Sequence, residues 1–292
     1  MRVDAHHHVW ELGRRPQDWL DGPETAPLRR DFTTADLTPR ARAAGVDRTV
    51  LVQVLPDPAE TREFLALAAA EPMIAGVVGW VDLTAPGVAD TLADLRHGPG
   101  GGHLVGARHL VQGEADPAWL ARPDVRRGLR AVGAAGLCYD LLVLPHQLPA
   151  AVETARALPD QRFVLDHLAK PPIARGGLDP WAALLRELAA EPNVFCKLSG
   201  LVTEARRDAW SVAELRPYAD TALDAFGPGR TMFGSDWPVC LLAASYEEVV
   251  GAAEELTAGL DPQERAQVFG GTAARAYGLS EPAPQSPREE PP

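Results

Sequence analysis

Three consecutive histidines stand almost at the start of this chain, in Asp4-Ala5-His6-His7-His8-Val9-Trp10. Side chains alternate faces along a strand, so His6 and His8 project together and His7 projects the other way. Two imidazoles about 7 Å apart can converge on one metal ion or one substrate oxygen. A carboxylate ends another apolar run, in Phe233-Gly234-Ser235-Asp236-Trp237-Pro238, where Pro238 stops the strand. His167 ends a third, in Val164-Leu165-Asp166-His167-Leu168. Imidazoles and a carboxylate meeting at one place suit hydrolysis, in which a water is deprotonated, a carbonyl polarised and a leaving group protonated. The chain contains no G-x-S-x-G, so a serine nucleophile elbow has no support.

Other residues join the candidate set with alternatives attached. In Gly106-Ala107-Arg108-His109, one of Arg108 and His109 points inward and the other away. Lys197 and Ser199 share a face, and a lysine inside a protein needs an ion-pair partner or a substrate anion. Tyr139 and Asp140, with His146 just beyond, are further candidates. Trp10, Trp80 and Trp237 could wall a pocket, although core packing is the better reading for any one of them. Cys138, Cys196 and Cys240 are odd in number, have no C-x-x-C spacing and lie in apolar runs, so they are read as small hydrophobes.

These residues must be positioned by a scaffold, and the scaffold is legible. Short Val/Leu-rich runs at 2–9, 48–55, 74–81, 104–111, 137–144, 162–168, 194–201 and 231–237 read as strands buried on both faces. Helices start between them: Asp57-Pro58, Asp179-Pro180 and Asp261-Pro262 each pair an N-cap with a first-turn proline. Ser211 with Glu214 and Ser245 with Glu248 are capping boxes. Eight strand–helix alternations predict a parallel (β/α)₈ barrel, a single α/β domain over residues 1–279. The glycine run at 98–102 precedes a strand rather than a helix, so it is no phosphate loop. The long segment 11–30 belongs to the catalytic face of such a barrel, and the Pro- and charge-rich end, 280–292, is expected to be disordered.

Composition excludes other classes. Of the 292 residues, 28 are basic and 40 acidic, a net charge of −12 without any basic block, which argues against binding nucleic acid or an anionic membrane. No apolar run reaches the roughly 18 residues of a membrane span, and Asp4 and the histidines occupy the place a signal peptide would need. A cytoplasmic enzyme is the expectation.

The residues above also carry a resemblance. The stretches DAHHHVW, GARHLVQ, YDLLVLPHQLP, FVLDHLAKPPI, CKLSGL, FGSDWPV and GTAARAYGL, in one order up to Leu279, resemble the amidohydrolase superfamily (amidohydrolase-related family 2). They are most similar to its sugar-lactone hydrolase branch, which includes L-fuconolactonase and L-rhamnonolactonase. The resemblance implies a (β/α)₈ barrel with His6, His8, His167 and Asp236 as the catalytic and metal-binding set. It implies hydrolysis of a small lactone, with one divalent ion, zinc, or with no metal. Strand four lacks a bridging lysine or glutamate and strand five a histidine, which weighs against a metal pair. Asp236 would move the proton, His167 would bind substrate or complete the metal shell, and Arg108 or His109 would help polarise the carbonyl. Lys197 and Tyr139 would read hydroxyls, and Trp237 would border the substrate. Pyrone-dicarboxylate and muconolactone hydrolases and metal-dependent decarboxylases are the alternatives on the same barrel. A non-catalytic metabolite sensor is a third, disfavoured because binding alone does not require a general base.

Overall fold

A computed structural model describes residues 1–280; the expectation for the end of the chain falls almost wholly outside them. In chain order the elements are β1 (Val3–His7), α1 (Thr34–Ala43), β2 (Arg48–Val52), α2 (Pro58–Ala70), β3 (Ile74–Gly79) and α3 (Val88–His97). They continue with β4 (Leu104–His109), α4 (Pro123–Ala134), β5 (Cys138–Leu141), α5 (Leu148–Ala157), β6 (Phe163–Leu165) and α6 (Trp181–Ala189). β7 (Val194–Leu198), α7 (Leu201–Glu204), α8 (Val212–Phe226), β8 (Thr231–Phe233), α9 (Tyr246–Leu256), α10 (Pro262–Ala266) and α11 (Thr272–Tyr277) complete the chain.

The eight strands pair in parallel in the order β1 to β8. The ends of β8 and β1 then meet: Asp236 N donates to the His6 carbonyl at 2.9 Å and His8 N to the Trp237 carbonyl at 2.7 Å. This is the (β/α)₈ barrel that the alternation of apolar runs and helix starts predicts. Parallel strands covered by helices have no wet face, which is why they read as mostly apolar runs, interrupted where a strand carries a site residue or its ion-pair partner.

Two apolar clusters follow from that geometry. One fills the layer between strands and helices. The other, with Val3, Ala5, Val50, Val52, Val78 and Met232, lies within the barrel and is joined by Ala273, Ala276 and Tyr277 of α11. The last helix thus packs onto the barrel interior. The three cysteines are free and buried, as expected of small hydrophobes.

Local helix signals mostly hold. Asp57 accepts from Ala59 N, Asp261 from Gln263 N and Glu264 N, and both serine capping boxes form. Asp179-Pro180 does not follow the pattern: Pro180 itself takes the cap position and α6 begins at Trp181 without a side-chain cap. A tertiary bond holds that helix start instead, since the Trp181 indole donates to the Leu168 carbonyl at 2.7 Å.

Candidate active site

The strand ends that the sequence marks do converge, and His6, His7 and His8 alternate as expected, on a phase that a bulge sets. Along β1, Asp4 lies opposite Thr49 and His7 opposite Leu51, so three steps are matched by two on β2. This is a β-bulge. It leaves Asp4 and His7 on the outer side while His6 and His8 both turn inward. His7 is fully buried, neither ring nitrogen has a partner, and burial lowers its pKa to about 3.

His6 Nε2 lies 3.1 Å from His8 Nε2. Asp236 Oδ1 lies 3.7 Å from His6 Nε2, 3.6 Å from His8 Nε2 and 3.8 Å from His167 Nε2. Ligands held about 2.1 Å from one tetrahedral zinc stand about 3.4 Å apart; His6, His167 and Asp236, whose ligand atoms all lie within 4.8 Å of one another, fit such an ion, with His8 beside His6 and Asp236. The ring roles are assigned from their partners. His8 Nδ1 is 2.7 Å from the Val52 carbonyl and must donate to it, which leaves Nε2 as a lone pair. His167 Nδ1 is 2.8 Å from Ser199 Oγ. His6 Nδ1 lies 3.1 Å from the Lys197 ammonium, which can only donate to it, and 3.4 Å from the Asp166 carboxylate. At 3.1 Å the His6 and His8 Nε2 atoms are within hydrogen-bonding distance, and either one proton or one shared cation satisfies both. Burial lowers His167 to about 4, and burial with the Lys197 charge holds His6 well below its usual range, so both rings are neutral ligands at pH 7. Burial opposes ionisation of Asp236, yet the imidazoles of His167, His8 and His6 facing it hold its pKa below the ordinary carboxylate range.

Backbone strain buys this placement. Asp236 has φ +57°, and His167 to Lys170 are four consecutive non-glycine residues with φ between +51° and +57°. Such conformations cost on the order of 1–3 kcal/mol each and cluster at functional sites. Gly200 makes room for the result, because a Cβ there would stand 2.7 Å from His167 Nδ1.

Around this cluster lies a buried charge network. Arg108 Nη1 donates to Asp166 at 2.9 Å and points at His6 Nε2 from 3.4 Å, while Nη2 donates to the Gln53 carbonyl at 2.6 Å and its side-chain oxygen at 2.8 Å. Lys197 Nζ lies 2.6 Å from Asp140, 2.9 Å from Asp166 and 3.1 Å from His6 Nδ1. Tyr277 of α11 donates to Asp140 at 2.8 Å. The network balances two cations against two carboxylates. Although burial opposes its ionisation, the Lys197 ammonium and His6 keep Asp166 well below the usual carboxylate range.

The remaining candidates separate cleanly. Arg108, not His109, is the inward member of its pair. His109 stacks on Trp119 with centroids 4.4 Å apart, accepts from the Trp80 indole at 3.0 Å and meets Glu114 at 2.7 Å. Tyr139 faces away from the cluster into the layer around Phe163 and is fully buried. Trp237 is packed edge-on against Phe32, centroids 5.4 Å apart. Lys197 has its donors committed to protein groups, and His146 is exposed on a short turn after β5. Sequence reasoning assigned no role to Asp166, Gln53 or Tyr277. Asp166 had a local signal, its place beside His167 at a strand end; Gln53 and Tyr277 had none.

A cavity of about 160 Å³ lies between the loop after β1 and α2, and includes Trp10, Arg15, Gln17, Phe32 and Glu60 in its wall. Glu60 accepts from Val54 N at 2.8 Å and Leu55 N at 3.0 Å, fixing the turn that follows Gln53. Burial raises its pKa to about 7. A raised carboxylate pKa gives stability that is present below the ordinary value of 4.5 and is lost as pH rises to about 7. Glu60→Gln therefore gains on the wild type by up to about 3 kcal/mol across that interval, measured by urea unfolding at both ends. A difference that does not change with pH would show that the native pKa of Glu60 is not raised.

A barrel with three imidazoles and a carboxylate at its mouth is a hydrolase architecture of metal-assisted type. The family model for amidohydrolases matches residues 3–279, and the chain belongs to that family. It is 43% identical to an L-fucono-1,5-lactonase of Burkholderia multivorans, over 97% of this chain and 98% of that one. It is 39% identical to an L-fucono-1,5-lactonase of Burkholderia ambifaria, over 97% of each. A crystal structure of an amidohydrolase from Burkholderia multivorans with bound zinc superposes with a TM-score of 0.91 at 42% identity, covering 96% of this chain and all of that one. Among the described residues no helix is long and apolar enough to cross a membrane.

Proposed function

We propose that this enzyme hydrolyses a sugar lactone, with the six-membered lactone of L-fuconic acid as its substrate, and that His6, His8, His167 and Asp236 are the working set. One observation carries the reading: His6, His167 and Asp236 bring ligand atoms within 4.8 Å of one another at the barrel mouth, and His8 Nε2 lies beside His6 and Asp236. Two relatives of nearly the same length act on that lactone by name. Zinc held by these four residues would polarise the lactone carbonyl and acidify water.

The chain's own groups do the rest. Asp236 accepts a proton from the attacking water as its oxygen bonds to the carbonyl carbon. The bond to the ring oxygen then breaks, and Asp236 returns the proton to that oxygen, which becomes a hydroxyl. The Arg108 guanidinium, held still by Gln53 and Asp166, adds positive potential where negative charge develops. The same network argues for an uncharged substrate. Arg108 and Lys197 are already paired with Asp166 and Asp140, whereas a dicarboxylate would need guanidinium forks left open for it.

A pH-indicator screen tests this with sugar-acid lactones and aromatic-pathway lactones, run with and without chelator. Hydrolysis of L-fucono-1,5-lactone that falls in chelator and returns with zinc is expected. Turnover of only pyrone-dicarboxylate or muconolactone substrates would overturn the substrate assignment, and full activity in chelator would overturn the role of zinc.

A further inference from the structure

Seven of the eight strand interfaces in the barrel are ladders, while β8 meets β1 only at an isolated bridge between His7 and Trp237. The site straddles this seam: His6 and His8 lie on one side and Asp236 on the other. Their separation is therefore set by whatever fixes the seam.

Asp4 stands in it. Its side chain is fully buried on the outer face of β1, away from the gathered imidazoles. Oδ1 accepts from Ser235 N at 2.8 Å and from His6 N at 3.2 Å, and Oδ2 accepts from the Tyr246 hydroxyl of α9 at 3.2 Å. Ser235 completes the tie, donating from Oγ to the His6 carbonyl at 3.3 Å and accepting there from Trp237 N at 3.1 Å. One carboxylate thus holds the main chain of His6 and of the residue before Asp236. A carboxylate is costly to bury unless such bonds satisfy it.

We infer that Asp4 is a positioning residue, clamping the main chains of His6 and Asp236 across the β1–β8 seam, with Tyr246 bracing the clamp from α9. Its consequence for zinc rests on the reading above; the clamp itself does not.

Metal-free wild type, Asp4→Asn and Asp4→Leu are compared by hydrogen exchange on peptides covering 3–9 and 231–238, then titrated with zinc and with cobalt(II). Asp4→Leu should speed exchange at least about tenfold in those two segments while β3 to β6 keep their protection. It should weaken zinc binding by about 10- to 100-fold and alter the visible spectrum of bound cobalt. Asp4→Asn should restore both, because its amide oxygen still accepts the two N–H groups and its amide nitrogen can donate to Tyr246. A folded Asp4→Leu protein with wild-type exchange at the seam overturns the proposal, and so does loosening spread evenly over all strands. If Asp4→Leu does not fold, Asp4→Asn combined with Tyr246→Phe asks the same question, since it strands the amide N–H; no seam loosening beyond that of Asp4→Asn overturns the clamp. A wild type that binds no zinc would defeat the metal reading, and hydrogen exchange would still decide the clamp.

Discussion

Replacing Asp236 with asparagine is expected to lower kcat on the sugar lactone by about 10²- to 10⁴-fold, the usual worth of one well-placed acid–base group. Asparagine has the same shape but cannot take a proton from water or return one to the ring oxygen. The fold should survive, because Asp236 sits at φ +57° and asparagine is among the side chains that tolerate this region best. Its amide oxygen can still face the imidazoles, so circular dichroism and urea unfolding should match the wild type. Steady-state kinetics with a zinc determination on the same sample separates the two duties of the carboxylate. A variant that keeps its zinc and loses turnover places Asp236 in the proton path. Near-normal turnover would remove it from that path.

Replacing Lys197 with methionine should cost about 3–5 kcal/mol of stability, the penalty for breaking a buried ion pair by removing one partner. Lys197 is fully buried between Asp140 and Asp166, at 2.6 and 2.9 Å. Asp166 keeps Arg108 when the ammonium is gone, but Asp140 keeps only the Tyr277 hydroxyl. Most of the loss should therefore be recovered by adding Asp140→Asn, which removes the orphaned charge. Urea unfolding of both single variants and the double variant measures this. A Lys197→Met protein within about 1 kcal/mol of the wild type would mean that the two carboxylates are not both ionised in the native protein. The double variant should remain poorly active, because His6 loses the neighbours that orient it.

Both predictions concern residues the sequence already singled out, but for different reasons. Asp236 was legible because Pro238 marks the end of its strand, and in a barrel the ends of strands carry the chemistry. Lys197 was legible only as an anomaly, a charge in an apolar strand. Its partners lie 57 positions away for Asp140 and 31 for Asp166, and neither distance is encoded locally. The choice between Arg108 and His109 was open for a related reason. Alternation says that neighbours face opposite ways, but not which one faces in.

The sequence by itself determined the elements: eight strands, because strands buried on both faces must be mostly apolar, and most helix starts, because a cap bonds to a backbone two or three residues away. With its motif order it also determined the family. The tertiary structure decided what distant chain segments do to one another. It supplied the bulge that puts Asp4 on the opposite face from His6 and His8, since a bulge exists only against the neighbouring strand. It also supplied the Gln53–Arg108–Asp166–Lys197–Asp140–Tyr277 network and the Asp4 clamp to Tyr246, 242 positions away. Burial is the physical reason: a charge inside a barrel is tolerable only beside its partner, and only the closed barrel brings those partners within hydrogen-bonding distance.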